Sequence, residues 1–268
     1  MKKLKRVSVL VIALIAMAPA AWSQTAKEVL TKVFENVEKN YKLADIYKRY
    51  DTRLIRTEDD SLVKAFNQDL IINYPKKITK NPDIVWYSNK GFPKKDFRLK
   101  KLSIDVVRNW YSRFIKDPEH FFSEKDSMIL SDEGDQYVIN WISRHKKNDY
   151  HSVLYINKSD FAIVAVEGKA CYHAKKDKTP NALRWVVIKP LAYSTYHSYG
   201  KKNGKYELLS YRDSGETLWS NCFIGKKIIS ENCTVDFSGY CDNPEGKKNK
   251  KESMSREEAS ALAAEIGK

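Results

Sequence analysis

The stretch that decides the fold is residues 46–74, IYKRYDTRLIRTEDDSLVKAFNQDLIINY. Apolar and polar residues alternate through it, although imperfectly, and such alternation is typical of strands rather than of helices. Residues 46–57 and 61–74 read as two long strands, and the acidic triplet 58–60 reads as the turn that joins them. The stretch therefore predicts an antiparallel hairpin, from which the rest of the fold can be worked out.

Amphipathic helices are predicted on both sides of this hairpin. Before it, Thr25 and Glu28 form a capping box, in which each side chain satisfies a free backbone amide at a helix start. After it, a helix is predicted over residues 103–115, with Ser103 as its N-cap. Each helix carries one apolar stripe, which indicates packing against a sheet. The stripe residues are Val29, Leu30, Val33, Phe34 and Val37 in the first helix, and Ile104, Val107, Trp110 or Tyr111, and Phe114 in the second.

The following part of the chain is predicted to form antiparallel strands joined by hairpins. Residues 157–160 suit a tight turn, and Asn203-Gly204 is a typical hairpin dipeptide. The predicted strands span residues 136–144, 150–157, 161–167, 183–188, 193–199 and 206–213. The strand–helix alternation of a parallel sheet is missing, and so is a glycine-rich nucleotide loop. The predicted fold class is therefore α+β, with one curved antiparallel β-sheet packed on two or more helices.

The first segment is predicted to lie outside the fold. Four basic residues within positions 2–6 precede an apolar run over 7–18, and Ala21 and Ser23 are the small residues of a cleavage site. Residues 1–23 therefore read as a cleaved signal peptide. The alternative is an N-terminal membrane anchor, but the run is shorter than the roughly 20 residues that a spanning helix needs. Because no cysteine follows the run, we expect a periplasmic protein that is not a lipoprotein.

The chain is basic, but its charge is dispersed. Its 268 residues include 48 Lys and Arg against 34 Asp and Glu, a net charge of +14. The leader carries four of the basic residues and no acidic one, so the mature chain keeps 44 against 34, or +10. The excess lies in scattered lysine pairs and in the tail 247–251 rather than on one arginine-rich face. We therefore expect a solvated basic surface and no nucleic-acid partner.

Four cysteines in the mature chain are disulfide candidates, because an exported protein works in an oxidising compartment. They are Cys171, Cys222, Cys233 and Cys241. Four cysteines allow three connectivities, and one bridge among the last three would staple a C-terminal loop. The alternative is a metal site at Cys171 and His173, but these two residues lack the second ligand pair of a zinc site. The sequence therefore predicts disulfides, no metal and no cofactor.

Three motif pairs occur in order along the chain. They are AKEVL at 26–30 with IYKRY at 46–50, IDVVRN at 104–109 with KDPEHFF at 116–122, and YVINW at 137–141 with LYINKSDFAIV at 154–164. In this order they resemble a family of exported Gram-negative proteins of poorly known function, which often follow a carboxypeptidase-regulatory-like domain. The last pair also resembles the sheet of lipoprotein-carrier-like proteins, which sort outer-membrane lipoproteins. The resemblance covers roughly residues 25–215.

The resemblance implies a half-barrel, in which a half-open antiparallel barrel wraps around helices and its apolar concave face holds acyl chains. It places this half-barrel at residues 24–220, followed by a cysteine-containing C-terminal extension and polar tail at 221–268. The implied function is a non-enzymatic periplasmic protein that binds or carries a hydrophobic ligand, such as lipid or lipoprotein acyl chains. Aromatic residues are the candidates for the ligand-binding face, although each also reads as an ordinary core residue. They are Trp110, Tyr137, Trp141, Tyr155, Phe161 and Trp185.

Two other functions remain as alternatives. A hydrolase would need a catalytic constellation, but the chain has neither a Gly-x-Ser-x-Gly elbow nor a His-Glu-x-x-His helix. His145 and His151 flank a predicted turn, so they do not indicate a catalytic pair. The other alternative is an envelope assembly component that meets a protein partner through its basic tail or its hairpins. The sequence therefore predicts no catalytic residues and leaves the partner open.

Overall fold

One sheet of eleven strands dominates the fold. The computed structural model describes residues 24–93, 105–144, 148–172, 186–221 and 225–266. The strands are β1 Ile46–Glu58, β2 Ser61–Tyr74, β3 Asp83–Phe92, β4 Asp126–Glu133, β5 Gln136–Arg144, β6 Asn148–Asn157, β7 Ala162–Tyr172, β8 Val186–Lys202, β9 Lys205–Asn221, β10 Gly225–Cys241 and β11 Lys250–Ser253. β1 and β2 confirm the predicted hairpin.

The sheet is open and almost entirely antiparallel. In space the strands run β11–β3–β2–β1–β10–β9–β8–β7–β6–β5–β4, so β11 and β4 form its two edges. Neighbouring strands are antiparallel except for β11 and β3, which pair in parallel. The predicted hairpin at Asn203-Gly204 joins β8 to β9, with φ angles of 50° and 78°. Glycine takes up this left-handed conformation without steric cost. The fold is therefore mainly β with some helices.

Three helices pack on one face of the sheet, which we call the helix side. They are α1 Ala26–Glu35, α2 Val37–Asn40 and α3 Val106–Phe114. The predicted capping box at α1 is confirmed: the Glu28 amide donates to Thr25 Oγ1 at 3.2 Å, and the Thr25 amide donates to Glu28 Oε2 at 2.7 Å. At α3 the N-cap is Asp105, whose Oδ1 accepts from the Arg108 amide at 3.2 Å. The predicted cap Ser103 lies outside the described residues.

A fourth helix, α4 Arg256–Ile266, packs on the opposite face. Its buried side chains Ala259 and Leu262 form a small core with Ile55 of β1 and Ala65 of β2. Leu54, the residue before Ile55, packs in the main core on the helix side. Successive side chains of a strand point to opposite faces, so α4 covers the other face. Helices therefore pack on both faces of the sheet.

The C-terminal residues complete the sheet instead of extending from it. Residues 221–268 were expected to form an extension and a polar tail, yet β10 lies between β1 and β9. β11 then pairs with β3, and α4 follows it. The strands β3, β4, β10 and β11 were all missed by the sequence prediction. For β10 the reason is that its partners are β1, near the other end of the chain, and β9.

β3 was missed because Gly91 reads as a break in the chain. In the structure Gly91 lies within β3, opposite Phe66 of β2. A Cβ atom at this position would lie 2.5 Å from the Phe66 ring, so the glycine makes room for an aromatic side chain.

Among the described residues no helix is long and apolar enough to cross a membrane.

Candidate binding site on the helix side of the sheet

A transverse row of side chains crosses the helix side of the sheet from β4 to β3. Its members lie directly opposite one another on neighbouring strands, so they share one face. From β4 to β7 they are Leu130, Ile139, Leu154 and Val166. From β8 onwards they are His197, Tyr211, Val235, Thr52, Gln68 and Asn89. The row therefore changes from apolar to largely polar half way across the sheet.

Four members of this row, His197, Thr52, Gln68 and Asn89, are buried polar side chains, which we call the polar row. Their exposed fractions are 5%, 3%, 5% and 5%. Within the described part of the chain, no hydrogen-bond partner reaches His197 Nδ1, Thr52 Oγ1, Gln68 Nε2 or Asn89 Oδ1. Such orphaned groups are rare, because each costs about 1–3 kcal/mol. Each of these atoms therefore marks a place where a polar atom of water or of a ligand would be stabilising.

His197 is held as a neutral imidazole. Burial lowers its pKa from 6.5 to about 4, and the charge of Asp105 and a hydrogen bond to the Val166 carbonyl only partly offset this. Since Nδ1 has no partner within the described residues, Nε2 is the atom that donates to this carbonyl. The ring also packs on Tyr211 at 4.7 Å between centroids, and the Tyr211 hydroxyl donates to Asp213 Oδ2 at 3.0 Å. His197 Nδ1 is therefore a buried acceptor.

Apolar side chains border the polar row on both sides. Along β1, Thr52 lies between Tyr50, which is fully buried, and Leu54. Along β2, Gln68 lies between Phe66 and Leu70, with exposed fractions of 5% and 0%. A polar strip enclosed by apolar surface suits a molecule that has both a polar group and a hydrocarbon part.

A buried ion pair joins β1 to β9. Lys48 Nζ of β1 is 2.7 Å from Glu207 Oε2 of β9, and their side chains are 1% and 0% exposed. The ammonium is thus within hydrogen-bond distance of the carboxylate. Burial raises the pKa of Glu207, and the Lys48 charge acts against this rise. Because the two charges compensate, we assign the pair a structural role that links β1 to β9.

Four of the aromatic residues expected to bind a ligand form two separate contacts on the helix side. Trp110 of α3 packs on Trp141 of β5 at 5.6 Å between ring centroids. Tyr137 of β5 stacks on Phe161 at 6.2 Å. All four pack against the main core around α1 and α3. They therefore fill space between the helices and the sheet, and Tyr137 and Trp141 lie two residues on either side of Ile139, in the apolar half of the transverse row.

The other two aromatic candidates do not join them. Tyr155 lies between Leu154 and Ile156, which both pack in the core on the helix side, so its own side chain points to the opposite face. There its hydroxyl donates to Glu167 Oε1 at 3.2 Å. The expectation that Tyr155 shares a surface with the other aromatics is corrected by this geometry. Trp185 lies outside the described residues.

One form of the predicted C-terminal disulfide staple, a bridge between Cys233 and Cys241, does not fit the fold. Cys233 and Cys241 lie eight residues apart on β10, a separation of about 26 Å, whereas bridged Cα atoms lie within about 7 Å. Cys171 is on β7, and two strands separate it from β10, which places about 14 Å between β7 and β10. The fold therefore excludes a bridge from Cys233 to Cys241 and one from Cys233 to Cys171. Cys222 and His173 lie outside the described residues.

Two further features would indicate other kinds of site: clusters of metal-ligating side chains, and a surface depression on the face covered by α4. In the ranges that the structure describes, no three His, Cys, Asp or Glu side chains come together as metal ligands would. A depression of about 200 Å³ opens between β8, β9, β10 and the end of α4, where Arg212, Asn232 and Ile266 line it. It lies on the face covered by α4, so it is separate from the polar row.

Comparisons with known proteins assign the chain to no family. No family model matches the chain, and no curated protein matches it. Five chains of solved structures match, among them one described as "Lipid-protein interactions in lipovitellin", with a TM-score of 0.29 and 8% identity. That alignment covers 77% of this chain and 26% of the other, so the chain spans about a quarter of the length of that protein. At this TM-score the likeness carries no argument about function.

Proposed function

We propose that this protein binds an amphipathic ligand, such as a lipid or another molecule with an acyl chain, on the helix side of its sheet. In this proposal it carries or presents the ligand without catalysing a reaction. The observation that carries the proposal is the polar row, with four buried atoms that have no partner in the described chain. A water cluster or a polar head group would satisfy them, and the bordering apolar side chains would cover hydrocarbon.

The energetics favour such a ligand. Each polar-row atom that gains a partner removes a burial cost of about 1–3 kcal/mol. Hydrocarbon that covers the half-buried Leu54 adds about 25 cal/mol for each Å² of apolar surface, its own included, that is removed from water. Both gains arise at adjacent places on β1 and β2, so one ligand can make them together.

The extent of the core supports a half-barrel. The ten strands β1 to β10, laid flat, would span about 43 Å, since neighbouring strands lie about 4.8 Å apart. Helix α1 has 10 residues and is only about 15 Å long. Yet side chains from α1, α3 and these ten strands belong to one continuous core. A sheet that curls around its helices accounts for this, and it is the shape expected from the resemblance to lipoprotein carriers.

We place this function in the periplasm, as part of the same proposal. The support is the leader at residues 1–23, with its basic start, short apolar run and small residues at the cleavage site. Production of the full chain in a Gram-negative bacterium tests the location. The periplasmic fraction should contain a protein whose mass is that of the chain starting at Gln24. Retention in the cytoplasm at full mass would contradict export while leaving the binding proposal open.

Two measurements detect a bound ligand whatever its chemical identity. Protein purified without detergent would be extracted with organic solvent for mass spectrometry, and titrated with the neutral fluorescent probe N-phenyl-1-naphthylamine. We expect lipid in the extract or a saturable probe signal that lipids displace. The proposal is refuted if protein with an intact near-UV circular dichroism spectrum gives neither lipid in the extract nor a probe signal that lipids displace.

Two matched variants locate the site. Thr52→Val removes a hydroxyl on the helix side, and Thr234→Val makes the same change on the opposite face. Thr234 Oγ1 is likewise buried without a partner among the described residues, and Thr234 lies opposite Arg53, the neighbour of Thr52. We expect Thr52→Val to weaken lipid binding by about fivefold to tenfold, the loss of one hydrogen bond, and Thr234→Val to leave it unchanged. Equal effects would place the ligand elsewhere.

The edge strand β4 supports a second candidate function, in envelope assembly. β4 has one strand neighbour in the described sheet, and Ile129 on it is 60% exposed. An unpaired edge offers backbone groups to a strand of a partner protein. Crosslinking from a photoreactive residue at position 129 in living cells would test this. Capture of one partner, lost when the edge strand also carries Leu130→Pro, would support it, and the absence of any crosslinked protein would count against it.

A further inference from the structure

We infer that the head group bound at the polar row is uncharged and carries hydroxyl or amide groups, in contrast to a carboxylate or a phosphate. This inference rests on the proposed function and names its ligand class. It follows from which atoms of the row lack partners and from which charges surround them.

The orphaned atoms include both donors and acceptors. Asn89 Oδ1 and His197 Nδ1 can only accept a hydrogen bond, whereas Gln68 Nε2 can only donate one. Thr52 Oγ1 can do either. A carboxylate or a fully ionised phosphate offers acceptors alone, so it would leave Asn89 and His197 unsatisfied. A hydroxyl or a primary amide offers both functions, so it can satisfy donors and acceptors alike.

The spacing of the row suits a head group with several such functions. Asn89, Gln68 and Thr52 lie directly opposite one another on three adjacent strands, so about 10 Å separates the first from the last. His197 is three strands away from Thr52, which corresponds to about 14 Å. A polyol such as glycerol or a sugar carries enough hydroxyl groups to meet neighbouring members of the first three.

The surrounding charges disfavour an anion. The polar row contains no lysine or arginine, and the ammonium of Lys48 is already 2.7 Å from Glu207. Arg56 lies four residues beyond Thr52, about 13 Å along β1, and its Nε is also buried without a partner among the described residues. Two carboxylates act on members of the transverse row: Asp213 accepts a hydrogen bond from Tyr211, and the charge of Asp105 acts on His197. The row itself therefore supplies no cation to a buried anion, and the carboxylates add negative charge.

The test compares ligands that share one acyl chain and differ only in the head group. Displacement of N-phenyl-1-naphthylamine would be measured with 1-monopalmitoylglycerol, palmitate and palmitoyl lysophosphatidic acid, each below its micelle concentration at pH 7.5. We expect the glycerol ester to bind at least tenfold tighter than either anion. Gln68→Leu and Thr52→Val should reduce this preference to less than threefold by weakening the glycerol ester, and Thr234→Val should preserve it.

The outcomes separate the inference from the proposal beneath it. If palmitate or lysophosphatidic acid binds as tightly as the glycerol ester, the uncharged head group is refuted while the lipid-binding proposal stands. If the folded protein binds neither the probe nor any of the three lipids, the proposed function itself fails. If the glycerol ester is preferred equally by wild type and by Gln68→Leu, the preference arises outside the polar row and the inference is overturned.

Discussion

We expect the substitution His197→Gln to change how the stability of this protein depends on pH. The imidazole is 5% exposed, and burial lowers its pKa from 6.5 to about 4, partly offset by Asp105 and by the Val166 carbonyl. The folded protein therefore keeps the ring neutral in a pH range where the unfolded chain protonates it. Glutamine has no charge at any pH, and its amide can still donate to the carbonyl.

The sign and the size follow from the two pKa values of His197. Between about pH 6.5 and 4 the unfolded state binds more protons than the folded state, so protonation favours unfolding. The stability contributed by the neutral ring is fully present above pH 6.5 and is lost as the pH falls to about 4. One pKa unit corresponds to about 1.4 kcal/mol, so the loss across the window is about 3 kcal/mol.

Urea unfolding followed by tryptophan fluorescence measures this effect. The free energy of unfolding would be determined for wild type and for His197→Gln at several pH values between 8 and 4. We expect the variant to gain about 3 kcal/mol relative to wild type as the pH falls across the window. Groups common to both proteins cancel in the difference. His151→Gln, which replaces an exposed histidine on β6, is the control and should follow wild type.

A difference that stays constant within about 0.5 kcal/mol, the range of neutral surface substitutions, would refute the reasoning. It would mean that His197 takes up its proton equally in the folded and unfolded states. The ring would then be hydrated or paired with an acid, and the polar row would not be the dry, neutral strip on which the proposed head-group chemistry depends.

Three further predictions concern packing and buried polar groups. Thr52→Val should raise the free energy of unfolding of the ligand-free protein by about 1–3 kcal/mol in urea titrations, because it removes an orphaned hydroxyl without changing the shape of the side chain; a loss of stability would show that the hydroxyl is partnered. Gly91→Ala should lower the melting temperature by an amount equivalent to about 1–3 kcal/mol, since its Cβ would lie 2.5 Å from the Phe66 ring; an unchanged melting temperature would contradict this contact. Lys48→Met should cost about 3–5 kcal/mol by leaving Glu207 buried and unpaired, and the double variant with Glu207→Leu should recover most of it; equal instability of both variants would contradict the ion pair.

Local features of the chain were predictable from sequence because each depends on residues that are close together in it. The capping box at Thr25 and Glu28 and the hairpin of β1 and β2 are examples, since each involves neighbouring hydrogen-bonding partners or alternation along a short stretch. The N-cap of α3 was misplaced by two residues, from Ser103 to Asp105, which is the usual error at a helix boundary. Helix existence was predicted correctly, while the exact start was not.

The polar row leaves only a faint trace in the sequence. Residues 46–74 alternate only imperfectly, and part of the reason is that Thr52 and Gln68 occupy positions that face inwards. A polar residue at an inward position does not by itself reveal a site, because cross-strand hydrogen bonds satisfy many such groups. Only the tertiary structure shows that these atoms lack partners within the described residues and that Asn89 and His197 continue the same row.

The sequence by itself determined the strand-rich composition, the first hairpin and the amphipathic helices, since propensity, capping and periodicity act over a few residues. The tertiary structure alone decided the central place of β10, the face taken by α4 and the alignment of Thr52 with Val235. These depend on pairing between segments far apart in the chain, where the register that buries the most apolar surface prevails over local signals. The same long-range register brings four polar side chains into one buried row, and the proposed binding site exists only because of it.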